Sequence, residues 1–266
     1  MPFLSSKNTS LLGWALAFTS LACAQPADEG DFTAPNHARE GGKVSLSVSS
    51  KADYSGSDAP RASVMPAVEY QWANGWFVGT NRGVGYSFSK DPTLQYGLGL
   101  GIDFGRKESA TGALTGMGSM NAKVEYGAFL NYAPDRHWRL SSVLRYGSGD
   151  TGQGATANFG ANYAMDIAPK WRLDLGVAAT WANSQYMQSY FGVNATQSQQ
   201  SGHAVYLPTS RLRDVSSSLN LSYQVTPEIS VSGGLKASSL VGDARNSPIV
   251  TSPQSVSGSL SVGYAF

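Results

Sequence analysis

From Val256 to Phe266 the chain alternates with a period of two. One face carries Val256, Gly258, Leu260, Val262, Tyr264 and Phe266. The other carries Ser255, Ser257, Ser259, Ser261, Gly263 and Ala265. Successive side chains point to opposite faces in a β-strand, so this segment is a strand with one apolar face and one small, polar face. Lipid outside and a polar lumen inside impose that contrast on the wall of a transmembrane β-barrel.

The pattern recurs upstream. Segment 94–104 sets Leu94, Tyr96, Leu98, Leu100, Ile102 and Phe104 against Gln95, three glycines and Asp103. Segment 171–181 sets Trp171, Leu173, Leu175, Val177, Ala179 and Trp181 against Arg172 and Asp174. Similar alternation runs through 44–54, 63–72, 123–132, 138–146, 158–167, 219–225 and 229–241. Connections alternate in length. Tight turns rich in Pro, Asn, Asp and Gly lie at 73–75, 89–92, 133–136, 168–170 and 226–228. Longer connections lie at 106–120, 147–154, 183–213 and 242–253. Short periplasmic turns and longer extracellular loops are the arrangement of outer-membrane barrels.

Strand number must be even if both ends of the barrel face the periplasm. Segment 76–88 decides the count. Read as one strand, it places Arg82 on the lipid face near mid-membrane, at a cost of about 2–4 kcal/mol. A hairpin at Asn81-Arg82-Gly83 removes that cost and gives twelve strands. Ten strands, with 44–54 not crossing, is the alternative. The fold expected is therefore all-β, a transmembrane antiparallel barrel over 43–266.

Composition agrees. Charged residues are 14% of the chain, against about 25% in soluble domains. Residues 1–24 read as a signal peptide. Lys7 precedes an apolar run over 11–22, which is too short to span a bilayer as a helix. Ala22-Cys23-Ala24 offers a cleavage site before Gln25. An acylated Cys23 is the alternative, although Ser20 stands where a lipobox prefers leucine. Residues 25–42 read as a flexible periplasmic lead-in. Without residues 1–24, basic and acidic side chains balance at 18 each. No basic patch points to nucleic acid.

The inward-facing charges expected are Glu69, Asp103, Glu125, Arg139, Arg145, Asp166, Arg172, Asp174 and Lys236. Their plainest role is to fill the lumen as ion pairs, and the sharper one is to line a selective channel. Catalysis finds little support. His37 lies in the lead-in, and His137 sits at a periplasmic turn. His203 lies in the longest loop beside Ser201. The Ser201-Gly202-His203 spacing does not aim nucleophile and base into one fixed site, and no G-x-S-x-G motif is present. No metal or cofactor site is expected. Trp72, Trp76, Trp138, Trp171 and Trp181 fall at strand ends, as interface anchors do.

Three segments resemble the MltA-interacting protein (MipA/OmpV) family. Tyr190-Phe191-Gly192-Val193, then Ser201-Gly202 and Tyr206, is similar to its YYGV…SG…Y signature, with Phe191 where the family commonly has Tyr. Leu240-Val241-Gly242-Asp243-Ala244, then Ser247-Pro248-Ile249-Val250, looks like its L-x-G-D-A…SP segment. Tyr54-Ser55-Gly56-Ser57-Asp58, with Pro66 downstream, looks like its Y-x-G-S-D element. A terminal aromatic such as Phe266 is also the usual assembly signal of such barrels. The resemblance implies an outer-membrane protein without enzymatic activity. It implies a scaffold between a lytic transglycosylase (a murein hydrolase) and a bifunctional murein synthase. A narrow channel, or a surface adhesin or antigen built on the long loops, is the alternative. The resemblance assigns no binding residues.

Overall fold

The computed structural model describes residues 40–52 and 54–266. The expected signal peptide, most of the lead-in, Cys23 and His37 lie outside the described residues.

Twelve antiparallel strands close into one barrel. In chain order they are β1 (Gly41–Ala52), β2 (Pro60–Gln71), β3 (Trp76–Gly79), β4 (Gly83–Ser87), β5 (Leu94–Asp103) and β6 (Lys123–Tyr132). They continue as β7 (Trp138–Ser148), β8 (Gly154–Ala168), β9 (Trp171–Ala182), β10 (Arg211–Gln224), β11 (Ile229–Leu240) and β12 (Gln254–Ala265). Every strand pairs with its sequence neighbours, and β12 returns to β1. That seam runs from Lys43 opposite Ala265 to Ser50 opposite Gly258. Gly42 and Phe266 extend it, each donating its N–H to the other's carbonyl at 2.9 Å. Closure removes the open edges that a bilayer would leave unsatisfied, except above the short β3–β4 hairpin.

Outward residues carry the apolar load. Leu98 is 55% exposed, Val177 60%, Leu235 59% and Leu260 68%, values that only lipid contact makes tolerable for a belt of aliphatic side chains. Aromatic rings gird the periplasmic rim. Trp76 meets Tyr86 at 5.4 Å, Tyr86 meets Phe88 at 5.3 Å, and Trp171 meets Tyr223 at 4.8 Å. Tyr70 packs on Trp72 at 4.9 Å. Trp181 anchors the opposite rim, as its place at the extracellular end of β9 requires.

The hairpin at 80–82 is present, and twelve is the strand number. Arg82 turns inward, is 7% exposed, and pairs with Glu69 at 3.7 Å. Gly83 follows with φ +69°, where a Cβ would strike the Leu100 carbonyl. A side chain is therefore excluded there on two counts.

Several boundaries differ from the sequence reading: β2 begins at Pro60 and β8 at Gly154, three and four residues early. β1 begins at Gly41, inside the segment read as lead-in. β10 begins at Arg211, so the long connection is shorter than 183–213 and the strand longer than 219–225. A register shift between Leu212 and Asp214 breaks the period of two there. Ser217 then faces lipid where an apolar residue is expected, opposite Val177 and Ala237. Both features hide a strand from a pattern search.

The lumen has two unlike walls. From β10 round to the start of β2 it is lined by serines, which bond across strands. Ser232 and Ser261 are 2.7 Å apart, Ser238 and Ser255 2.8 Å, and Ser49 and Ser63 3.0 Å. From β3 to β7 it is lined by glycines roofed by Phe77, Phe129 and Val143, which form one buried cluster. Phe77 and Phe129 pack edge to face at 5.8 Å. A Cβ at Gly85 would meet the Phe77 ring, and one at Gly97 the Phe129 ring. The glycines are where two aromatic side chains lie flat against the wall.

Candidate functional site: the capped lumen

The lumenal charges lie where the alternation placed them, and several are paired. Arg172 sits between Asp166 at 3.6 Å and Asp174 at 3.5 Å. Glu69 holds Arg82. Glu125 and Arg145 are buried on β6 and β7. Lys236 stands in the serine wall, in register with Ser218 on one side and Ser257 on the other. Asp103 has a different task, at the extracellular end of β5. Its Oδ1 accepts from the Gly105 N–H at 2.9 Å. Its Oδ2 accepts from the Gly149 N–H at 3.0 Å and from the Tyr190 hydroxyl at 2.5 Å.

Tyr190 belongs to a helix that crosses the mouth. Helix α1 (Ser184–Phe191) starts where β9 ends, because Asn183 caps it. The Asn183 Oδ1 accepts from the Tyr186 N–H and the Ala155 N–H, both at 2.9 Å. Tyr186 and Tyr190, four residues apart, share one helix face and stack at 4.4 Å. Arg213 of β10 donates to the Tyr186 hydroxyl at 2.5 Å and lies over its ring at 5.2 Å. An unbroken chain of contacts thus runs from Asp103 through Tyr190 and Tyr186 to Arg213. It joins β5 to β10, nearly opposite strands in the ring of twelve. Arg106, whose guanidinium burial holds below the usual arginine value, adds a bond to the Tyr190 carbonyl at 3.0 Å.

The other extracellular loops pack on this strut. Ala182, Tyr186, Met187, Phe191, Leu240 and Ala244 form one buried cluster. Leu114, Met117, Val193 and Ile249 form a second, with Tyr54, Ala110 and Tyr206 against it. Helix α2 (Ala195–Ser201) is closed by a capping box of Asn194 and Gln197, and Gln197 donates to the Met117 carbonyl at 2.8 Å. Helix α3 (Gly242–Arg245) carries Asp243, which accepts from the Thr209 N–H at 2.9 Å and hydroxyl at 2.8 Å. Those two bonds, with Arg211 nearby, hold the Asp243 carboxyl below the usual carboxylate range.

The three segments that carry the family resemblance meet in this cap. Tyr54 donates its hydroxyl to the Ile249 carbonyl at 2.8 Å. The Thr251 N–H donates to the Gly56 carbonyl at 2.8 Å, and Asp58 bonds the Thr251 hydroxyl. Ser247 donates to the Phe191 carbonyl at 2.6 Å, and Tyr206 to the Asp243 carbonyl at 2.8 Å. Val193 and Tyr206 exchange both backbone bonds at 2.8 Å.

Neither described histidine is placed for catalysis. The Ser201 hydroxyl donates to the Gln197 carbonyl at 2.7 Å, closing the end of α2. The His203 Nε2 faces the Ala113 carbonyl at 3.0 Å, so that nitrogen carries the proton. His137 spends its ring on the Ala164 carbonyl at 2.9 Å and the Arg136 Nε at 3.1 Å. Among the described residues no group of three or more His, Cys, Asp or Glu side chains is placed to hold a metal ion.

The strut residues Tyr186, Arg106 and Arg213 went unnoticed as functional groups in the sequence. Two signals were available. Asn183 three residues before Tyr186 is an N-cap spacing, and Tyr186 with Tyr190 has helical spacing.

No curated protein matches the chain. Several solved structures are similar in shape. The NanC porin is 11% identical, with 83% of this chain and 98% of that one covered and a TM-score of 0.46. The KdgM porin is 8% identical, covering 84% and 99%, with a TM-score of 0.46. The outer membrane channel DcaP of Acinetobacter baumannii is 10% identical, covering 86% and 96%, with a TM-score of 0.42. The family model described as MltA-interacting protein MipA matches residues 44–266, from within β1 to the last residue. The chain is an outer-membrane β-barrel and belongs to the MltA-interacting protein MipA family.

Proposed function

We propose that the barrel is a non-catalytic outer-membrane platform for peptidoglycan-remodelling enzymes, closed on the cell surface and engaged from the periplasm. The observation that carries this reading is the strut from Asp103 to Arg213, with one buried cluster built on Tyr186 and a second formed among the neighbouring loops. A conducting porin needs an open mouth, whereas an anchor gains from one that is obstructed. The family's description as MltA-interacting supports a murein enzyme as partner, and the resemblance adds the bifunctional synthase as the second one. The surface left for them is the ring of short turns. There Asp135 is held below the usual carboxylate range by the N–H groups of Trp138 and His137. Arg136, Lys170 and Glu228 add exposed charge nearby.

The test is capture of purified lytic transglycosylase by the barrel reconstituted in vesicles with its periplasmic side outward. Retention that weakens when the turns at 134–136 and 169–170 are replaced by Gly-Ser supports the platform. Retention that is absent, or indifferent to those turns, overturns it.

A second reading, a narrow channel for small polar solutes, draws on the half-exposed serine wall. The loops as a surface adhesin have less to recommend them, since most of their large apolar groups are buried in the two clusters, although Val205 and Leu207 stay exposed.

A further inference from the structure

The barrel wall is interrupted. β3 has four residues and β4 five, where a crossing strand needs about 9–11. The hairpin therefore covers only the periplasmic half of the wall. β2 pairs with β3 through Glu69, Tyr70 and Gln71 alone, and β5 pairs with β4 only from Gly97 to Leu100. Above the hairpin tip, Pro60–Ala67 on one side and Gly101–Phe104 on the other have no strand between them. Three strand spacings separate β2 from β5, about 14 Å between backbones.

Bond direction along β2 says what this edge is for. The Val68 N–H donates to the Thr80 hydroxyl at 3.0 Å, and its carbonyl accepts from the Thr80 N–H at 2.9 Å. Even-numbered residues of β2 therefore aim their backbone groups at the gap, and odd-numbered ones at β1. Pro60 and Pro66 both fall on the gap side, where their missing N–H groups cost the sheet nothing. Only Ala62 and Val64 keep a donor there. Prolines at this spacing refuse an added strand, whether from a partner or from a second copy.

Hydrocarbon is the remaining neighbour at this depth. The lips are Val64, 63% exposed, with Ile102 at 50% and Phe104 at 78%. Behind them Met65 faces the lumen, in register with Ser47, yet is 40% exposed. Ala67, two residues on and behind the hairpin, is 9% exposed. Backbone groups at Ala62 and Val64 need water, which the serine-lined lumen can bring to them through the gap. Water on one side and hydrocarbon on the other is the boundary an amphiphile occupies. Width suits a single chain, and the cap obstructs the axial way in.

We propose that the interrupted wall between β2 and β5 is a lateral portal that seats an acyl chain of an outer-leaflet lipid against Met65. The proposal stands apart from the platform reading, since no periplasmic partner enters it.

The probe is a phospholipid carrying a nitroxide midway along one acyl chain, in vesicles holding the full barrel. Met65→Cys, Val64→Cys and Ser257→Cys are each made in a Cys23→Ser background and labelled with bimane. Folding of each is checked by heat-modifiable migration. Quenching at position 65 should come within about twofold of that at lipid-facing 64 and several-fold above lumen-facing 257. Quenching at 65 equal to that at 257 overturns the portal. So does a disulfide-linked dimer of Ala62→Cys in the vesicles, because a second copy would then fill the gap. Absence of that dimer, with strong quenching at 65, sustains it.

Discussion

Tyr190 donates its hydroxyl to the Oδ2 of Asp103 at 2.5 Å, although 87 residues separate them in the chain. That bond ties the helix after β9 to the extracellular end of β5 and fixes one end of the strut across the mouth. Its loss should loosen the cap without unfolding the barrel. Tyr190→Phe removes a hydrogen bond to a charged acceptor, about 1.5–3 kcal/mol of local stability. Limited proteolysis of the folded barrel should then cut within 183–210 faster than in the wild type. Equal rates would mean the strut does not restrain the loop.

The hairpin tip depends on Arg82 and Glu69. Arg82→Met leaves the Glu69 carboxylate without its partner at membrane depth. Glu69 is 31% exposed, so the loss should be about 1–3 kcal/mol, below that of a fully buried pair. Urea unfolding from vesicles measures it. The double variant with Glu69→Gln should recover much of the loss, because no lone charge remains.

Gly97 tests the glycine wall. A Cβ there would collide with the Tyr86 carbonyl and the Phe129 ring together. Gly97→Ala should therefore destabilise the barrel by about 1–3 kcal/mol. The pair Gly97→Ala with Phe129→Leu should still be destabilised, since the backbone clash persists after the ring is gone. The same urea titration reads both.

Acid should release the α3 corner of the cap. Thr209 holds the Asp243 carboxyl below its ordinary range. A carboxyl depressed in the folded state stabilises that state above its unfolded value and loses the contribution as pH falls through the folded value. The protection of the Thr209 amide, its exchange measured against the intrinsic rate at each pH, should thus hold at neutral pH and fall only below the usual carboxylate range. Asp243→Asn should lower that protection at neutral pH and leave it nearly independent of pH over the same interval.

The walls of this barrel were legible because lipid on one side and water on the other impose a period of two. Leu94–Asp103 and the terminal strand follow it without a break, and Arg82 could be assigned to a turn from its charge alone. Arg211–Ser218 was not legible, because the shift at Arg213 and the outward Ser217 disguise the period. The cap was not legible as a structure. Tyr54 and Ile249 meet across 195 residues, and no local pattern encodes that pairing. Its residues were nonetheless the ones by which the chain resembled its family. The short reach of Trp76–Gly79 and Gly83–Ser87 was legible too, since a turn at Arg82 leaves each arm too few residues to cross.

The most direct test of a closed platform is single-channel conductance of the folded barrel in a planar bilayer. Folding is established by heat-modifiable migration on gels. The wild type should give no steps. Steady, reproducible steps from the wild type would contradict the account and return the charged lumen to the role of a channel.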